Sequence, residues 1–117
     1  MSLFEYNNKV IIYYLPEELD QYAADMYKRK SEYVFNEKKV DIVIFDFEKT
    51  RFMDSSGIGL ITGRYRKICE NFGRVYSINV NSDINKILTL SGVYRIMQNK
   101  SDKQEIIGEL IKEGYYE

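Results

Sequence analysis

Hydrophobic positions in this chain change their spacing several times, and each change marks an element. Val10-Ile11-Ile12-Tyr13-Tyr14-Leu15 is apolar at every position, as a strand covered on both faces would be. Residues 3–6 lie ahead of it with Asn7-Asn8 between, which predicts a β-hairpin, because asparagine tolerates the positive φ of tight hairpin turns. Pro16 ends the second strand by removing a ladder donor. From about residue 20 to 36, Ala23, Met26, Tyr27, Lys30, Tyr33 and Val34 recur at three- and four-residue spacing, a helical stripe. Glu17, Glu18 and Asp20 place negative charge at its positive end.

Asp41-Ile42-Val43-Ile44-Phe45-Asp46-Phe47 is nearly continuous in its apolar character and predicts a central strand buried on both faces. Residues 48–54 form a connection. Ser55-Ser56-Gly57 then opens a second helix running to about residue 71, with Ile58, Ile61, Tyr65, Ile68, Cys69 and Phe72 on its apolar face and Gly73 as its stop. Residues 74–80 alternate with period two and read as a strand. Ser82 caps a short helix carrying Ile84, Ile87 and Leu88, closed by Gly92, and residues 93–97 form a further short strand. Ser101 with Gln104 makes a capping box for a last helix with Ile106, Ile107, Leu110 and Ile111 on one face and Gly114 at its end. The order β-β-α-β-α-β-α-β-α implies an α/β fold, mostly parallel sheet, with an N-terminal hairpin and about four helices.

Composition narrows the chemistry. The 117 residues are expected to form a single domain, 1–117, large enough to bury roughly two-thirds of its unfolded surface. Seventeen basic and 18 acidic side chains give a net charge of −1, which offers no electrostatic case for nucleic acid. There is no histidine, which removes Ser-His-Asp and Cys-His catalysis and His-ligated zinc. The single Cys69 makes neither an internal disulfide nor a Cys-rich metal site, and it fits a reducing compartment. Residues 1–6 carry no signal-peptide pattern, and apolar runs such as Ile42-Val43-Ile44-Phe45 are too short to span a bilayer. A soluble cytoplasmic protein without membrane association is the expectation.

Candidate chemistry concentrates in residues 48–59, the loop after the central strand, since sites in α/β sheets form where strands end and helices begin. Asp54-Ser55-Ser56 reads as a helix N-cap, a feature that contributes about 1 kcal/mol. It also reads as a serine hydroxyl exposed at a positive helix end, where a phosphate can be placed. One serine can cap while its neighbour points outward. Three enzyme motifs fail. Gly57-Ile58-Gly59 with Gly63 is one residue too long for a dinucleotide fingerprint, and neither Ser55 nor Ser56 has the flanking glycines of a nucleophile elbow. Cys69 and Arg74 have four residues between them, where cysteine phosphatases need five. Ser56, Gly59 and Gly63 share one side of the second helix, either packed closely on the domain's own strands or forming a flat surface for a partner. Each interior glycine costs about 1 kcal/mol against alanine. Arg64, Arg66 and Lys67 read as a solvated face or as the charged rim of that surface. Most of the 11 tyrosines are expected in or near the core.

Phe52-Met53-Asp54-Ser55-Ser56-Gly57-Ile58-Gly59, continuing through Gly63-Arg64-Tyr65-Arg66, resembles the anti-sigma factor antagonists of the STAS domain family. Glu18-Leu19-Asp20 is similar to the motif opening the family's first helix, residues 42–47 to its central strand, and Leu90-Ser91-Gly92-Val93 to a family turn. Glu17 stands where the family usually has glycine. The resemblance implies a STAS-like fold and a binding module, with no enzymatic activity, cofactor or metal. It implies two partners: an anti-sigma factor that is also a serine kinase, and a serine phosphatase acting on the phosphorylated form. Carried over by position, Ser55 is the phospho-acceptor, Asp54 orients it and Ser56 mainly caps the helix. The implied partner surface comprises Asp20, Asp54, Ser55, Ser56, Gly57, Gly59, Gly63 and Arg64, and the free form is expected to be a monomer. The second reading is a STAS scaffold that binds protein partners without switching.

Overall fold

The structure, a computed structural model, describes residues 2–115. It opens with antiparallel strands β1 (Phe4–Asn7) and β2 (Val10–Tyr14). Asn7 pairs with Val10, so the two-residue turn is Asn8-Lys9, one residue later than the asparagine pair suggests. Both turn residues have positive φ, 50° and 70°, as the right-handed strand twist demands of a two-residue hairpin. Then come β3 (Glu18–Leu19), α1 (Gln21–Glu37), β4 (Ile42–Asp46), β5 (Phe52–Met53), α2 (Ser55–Ile68), β6 (Arg74–Ile78), α3 (Ser82–Ser91), β7 (Met97–Asn99) and α4 (Lys103–Lys112).

The main sheet runs β1-β2-β4-β6-β7, parallel throughout except for β1. Its register places Ile11, Val43, Val75 and Met97 in line. These residues meet Val34 of α1, Leu60, Ile61 and Ile68 of α2, and Ile84 and Leu88 of α3 in the larger core. The alternate residues Ile12, Ile44 and Tyr76 face the other way, onto Ile106 and Leu110 of α4. Three helices therefore cover one face and one helix the other. The apolar run of the central strand needed both coverings.

Several local expectations are corrected. On α1 the buried stripe is Ala23, Ala24, Tyr27, Ser31 and Val34, while Lys30 and Tyr33 are exposed. Ser31 fits the core because its hydroxyl donates to the Tyr27 carbonyl at 2.7 Å and shares a 2.6 Å hydrogen bond with the Tyr13 hydroxyl. The second helix ends at Ile68 and continues as a 3₁₀ turn over Cys69–Asn71. Phe72, expected on the apolar face, takes the left-handed conformation (φ 59°) with its ring in solvent. Gly73 is instead required by proximity, since a Cβ there would sit 2.6 Å from Ile68 Cβ.

Asn81, rather than Ser82, caps α3, accepting from the Ile84 amide at 2.9 Å. Gly92 closes that helix at φ 79°, as expected. Residues 93–95 form a 3₁₀ turn, so the following strand begins only at Met97. Asp102 caps α4, and Ser101 bonds Glu105 rather than Gln104. On α4 only Ile106 and Leu110 are buried, leaving Ile107 and Ile111 at the surface. Tyr115 donates to Asp41 Oδ2 at 2.7 Å, and Tyr116 lies outside the described residues.

Candidate functional site

The connection read as loop from residue 48 to 54 contains a strand. β5 pairs in parallel with β3, Glu18 against Phe52 and Leu19 against Met53. The Glu17 carbonyl accepts from the Arg51 amide (2.8 Å) and the Phe52 amide (3.1 Å), and the Leu19 carbonyl from the Asp54 amide (3.3 Å). Buried Thr50 anchors the base: its hydroxyl donates to the Pro16 carbonyl at 2.9 Å, and its own carbonyl accepts from Asn81 Nδ2 at 2.9 Å. Neither two-residue strand could be seen by periodicity, because two residues carry no period.

This small sheet delivers α1 and α2 side by side. Asp20 directly follows Leu19 and caps α1, its Oδ1 accepting from the Ala23 amide at 2.9 Å. Asp54 directly follows Met53 and caps α2, its Oδ1 accepting from the Ser56 amide at 2.8 Å. The Asp54 carbonyl also takes the Gly57 amide at 3.0 Å. The cap is thus Asp54, and the capping role expected of Ser56 is corrected: Ser56 supplies the amide, not the acceptor oxygen.

Ser55 occupies the first position of α2 and is exposed. Its hydroxyl makes no hydrogen bond among the described residues. Gly57 is buried beneath it, and a Cβ at that position would lie 2.5 Å from Met53 Cγ and 2.9 Å from Leu19 Cδ2. Glycine there lets the first turn of α2 seat directly on the paired strands. Gly59 and Gly63 differ, since a Cβ at either would meet nothing within 4 Å. Close packing on the domain's own strands, one of the two readings of these glycines, is excluded. They leave the outer side of α2 low and open beside Ser55.

A sequence model of the STAS domain matches residues 3–106. The chain belongs to the STAS domain family. Over 106 residues it is 29% identical to an anti-sigma F factor antagonist of Paenibacillus polymyxa, 91% of each chain being covered. Among solved structures it resembles the anti-sigma factor antagonist SpoIIAA in its unphosphorylated form, with a TM-score of 0.81 and 28% identity over 93% of this chain and 95% of the other. It also resembles the Bacillus cell fate determinant SpoIIAA in the phosphorylated form, with a TM-score of 0.72 and 29% identity over 92% and 96% of the two chains.

Within this STAS domain the expected partner residues divide. Asp20, Asp54, Ser55, Ser56, Gly59 and Gly63 reach the surface near the heads of α1 and α2 or along the open side of α2. Gly57 and Arg64 do not. Arg64, read as part of a solvated face or rim, is only 1% exposed. It lies between α1 and α2, with Nη1 3.4 Å from Glu32 Oε1 and its guanidinium carbon 4.7 Å from the Phe35 ring centroid. Among the described residues its Nε has no hydrogen-bond partner. Burial pushes the Glu32 carboxyl up, but Arg64 and Lys67 outweigh it and hold the group below its ordinary value. Glu32 alone in the sequence gave no sign of this pairing, because its partner is on another helix.

Two aromatic residues join the surface that the sequence reading left unmarked: Phe52, in the strand leading to Asp54, and Tyr22, in the first turn of α1. No helix among the described residues is long and apolar enough to cross a membrane.

Proposed function

We propose that this chain is an anti-sigma factor antagonist switched by phosphorylation of Ser55. Unphosphorylated, it binds an anti-sigma factor that is also a serine kinase, and sigma factor is released. Transfer of phosphate to Ser55 ends the interaction, and a serine phosphatase restores it. The chain acts by binding rather than by catalysis, in the cytoplasm where transcription is regulated, and is monomeric when free.

One observation carries this reading: Asp54 does the capping, so the Ser55 hydroxyl stands exposed beside it with no structural task. The relatives' naming as anti-sigma F factor antagonists, and the likeness to a protein solved in both phosphorylation states, support it. Phosphoserine adds about −1.5 to −2 charge, taking the chain from −1 to about −3. In a docked interface that charge is desolvated and faces Asp54, while the head of α2 offsets only about 0.3–1 kcal/mol in the free protein. Release, rather than unfolding, is the favoured outcome.

The test is affinity capture from native-cell lysate with wild-type, Ser55→Ala and Ser55→Asp baits. Wild type and Ser55→Ala are expected to retain a protein with serine-kinase activity toward Ser55, and Ser55→Asp to lose it. If all three baits keep the same partners, Ser55 is only a helix residue and the scaffold reading replaces this one.

A further inference from the structure

We infer that Phe52 and Tyr22 are the apolar anchors by which the anti-sigma factor grips this chain, while Ser55 beside them is the switch rather than the source of affinity. The inference rests on the reading that a protein docks over Ser55. Phe52 is 52% exposed and Tyr22 77% exposed, and neither ring belongs to either apolar core.

The placement of Phe52 runs against the pattern of its strand. Successive residues of a strand face opposite sides. In the β3–β5 pair Leu19 and Met53 are turned inward and buried, so Glu18 and Phe52 form the outer cross-strand pair. The solvent side of a half-buried sheet calls for polar residues. Glu18 obeys, and Phe52 does not. Tyr22 is the second residue of α1, two after the Asp20 cap, and its hydroxyl makes no hydrogen bond among the described residues.

Both rings lie where a partner seated on Ser55 must reach. Ser55 follows Met53 by two residues and Tyr22 follows Leu19 by three, on strands in register and about 4.8 Å apart. A specific protein interface covers about 800 Å² on each partner, far more than one serine and its cap. Other exposed apolar side chains stand elsewhere: Phe72 beyond the last turn of α2, and Ile107 and Ile111 on α4. Asp20, Asp54 and Ser55 exchange water for partner groups at little net gain, so they set specificity. Half of an aromatic side chain, roughly 100 Å² taken out of water, supplies affinity. The partner that fits is a serine kinase with apolar pockets flanking the mouth of its active site.

The experiment uses the kinase that the wild-type bait retains, purified and identified by phosphorylation of Ser55. Calorimetry gives its Kd for the full chain, and steady-state kinetics give KM and kcat for the phosphorylation. Phe52→Thr and Tyr22→Gln keep strand and helix propensity. Phe72→Ala is the control, removing a ring that is 92% exposed beyond the opposite end of α2. Unfolding midpoints establish that each variant is folded. Each anchor variant is expected to weaken Kd about tenfold or more and to raise KM more than it lowers kcat. Phe72→Ala is expected to bind within about twofold of wild type, and Tyr22→Phe, which keeps the ring, to retain the affinity. If Ser55→Asp loses the kinase while both anchor variants bind like wild type, the anchors are overturned and the switch stands. If the anchor variants lose affinity and Ser55→Asp does not, the anchors stand and the switch falls. An equal loss in Phe72→Ala, or a wild-type bait that retains no such kinase, also overturns the anchors.

Discussion

Asp20 and Asp54 occupy equivalent positions: each follows one member of the parallel Leu19–Met53 pair, and each caps the helix that begins at the next residue. Two helix N-termini consequently emerge from one small sheet, and Ser55 begins one of them. Helix ends concentrate unpaired amides and the positive pole of the dipole. The surface that carries Ser55 thus combines two such poles with the two carboxylates that cap them.

Removal of the Asp54 side chain should separate capping from partner contact. Asp54→Ala is expected to cost about 1 kcal/mol in urea denaturation, and Asp54→Asn only a fraction of that, since asparagine caps nearly as well. Both variants lose the negative charge beside Ser55. If the charge matters to docking, Asp54→Asn weakens partner binding while keeping most of its stability.

The glycines of α2 predict opposite effects of one substitution. Gly57→Ala forces a Cβ into Met53 and Leu19 and is expected to destabilise by about 1–3 kcal/mol. Gly59→Ala and Gly63→Ala enter open space on a helix and are expected to stabilise by about 0.4–1 kcal/mol each. Denaturation midpoints check the signs. A partner that lies against this side of α2 would bind the stabilised variants more weakly.

Arg64 is expected to behave as a core residue. Arg64→Ala removes a buried chain and leaves Glu32 without its nearest cation, at a cost of about 3 kcal/mol. Arg64→Met, which keeps the packing, should cost much less. Since Glu32 is depressed in the folded state, its contribution is present above its ordinary value of 4.5 and is lost as pH falls through the lower folded value. Stability measured across that acid range should fall more steeply in wild type than in Glu32→Gln.

Phosphorylation of Ser55 should leave the fold intact. The modified protein is expected to melt within a few degrees of the unmodified one, because the added charge is solvated and the head of α2 favours it. Calorimetry on the two forms, paired with binding to the captured kinase, checks this. A phosphorylated form that still binds would sink the switch.

The class of fold and the order of its main elements are legible in the residues alone. Apolar runs at residues 10–15 and 41–47 are long enough to announce strands, and the stripe through Ala23, Tyr27 and Val34 to announce a helix. Ser55 is legible there too, because Met-Asp-Ser-Ser-Gly is a contiguous motif that survives without knowledge of contacts. Which oxygen caps α2, the pairing of β3 with β5, and the enclosure of Gly57 beside the open Gly59 and Gly63 depend on how the elements pack and emerge from the folded chain. Packing also withdraws Arg64 from the surface, against its expected exposure. Periodicity reports which side of one element is apolar. Whether a charge is buried depends on what another element brings to meet it, and for Arg64 that is Glu32 and Phe35 of α1.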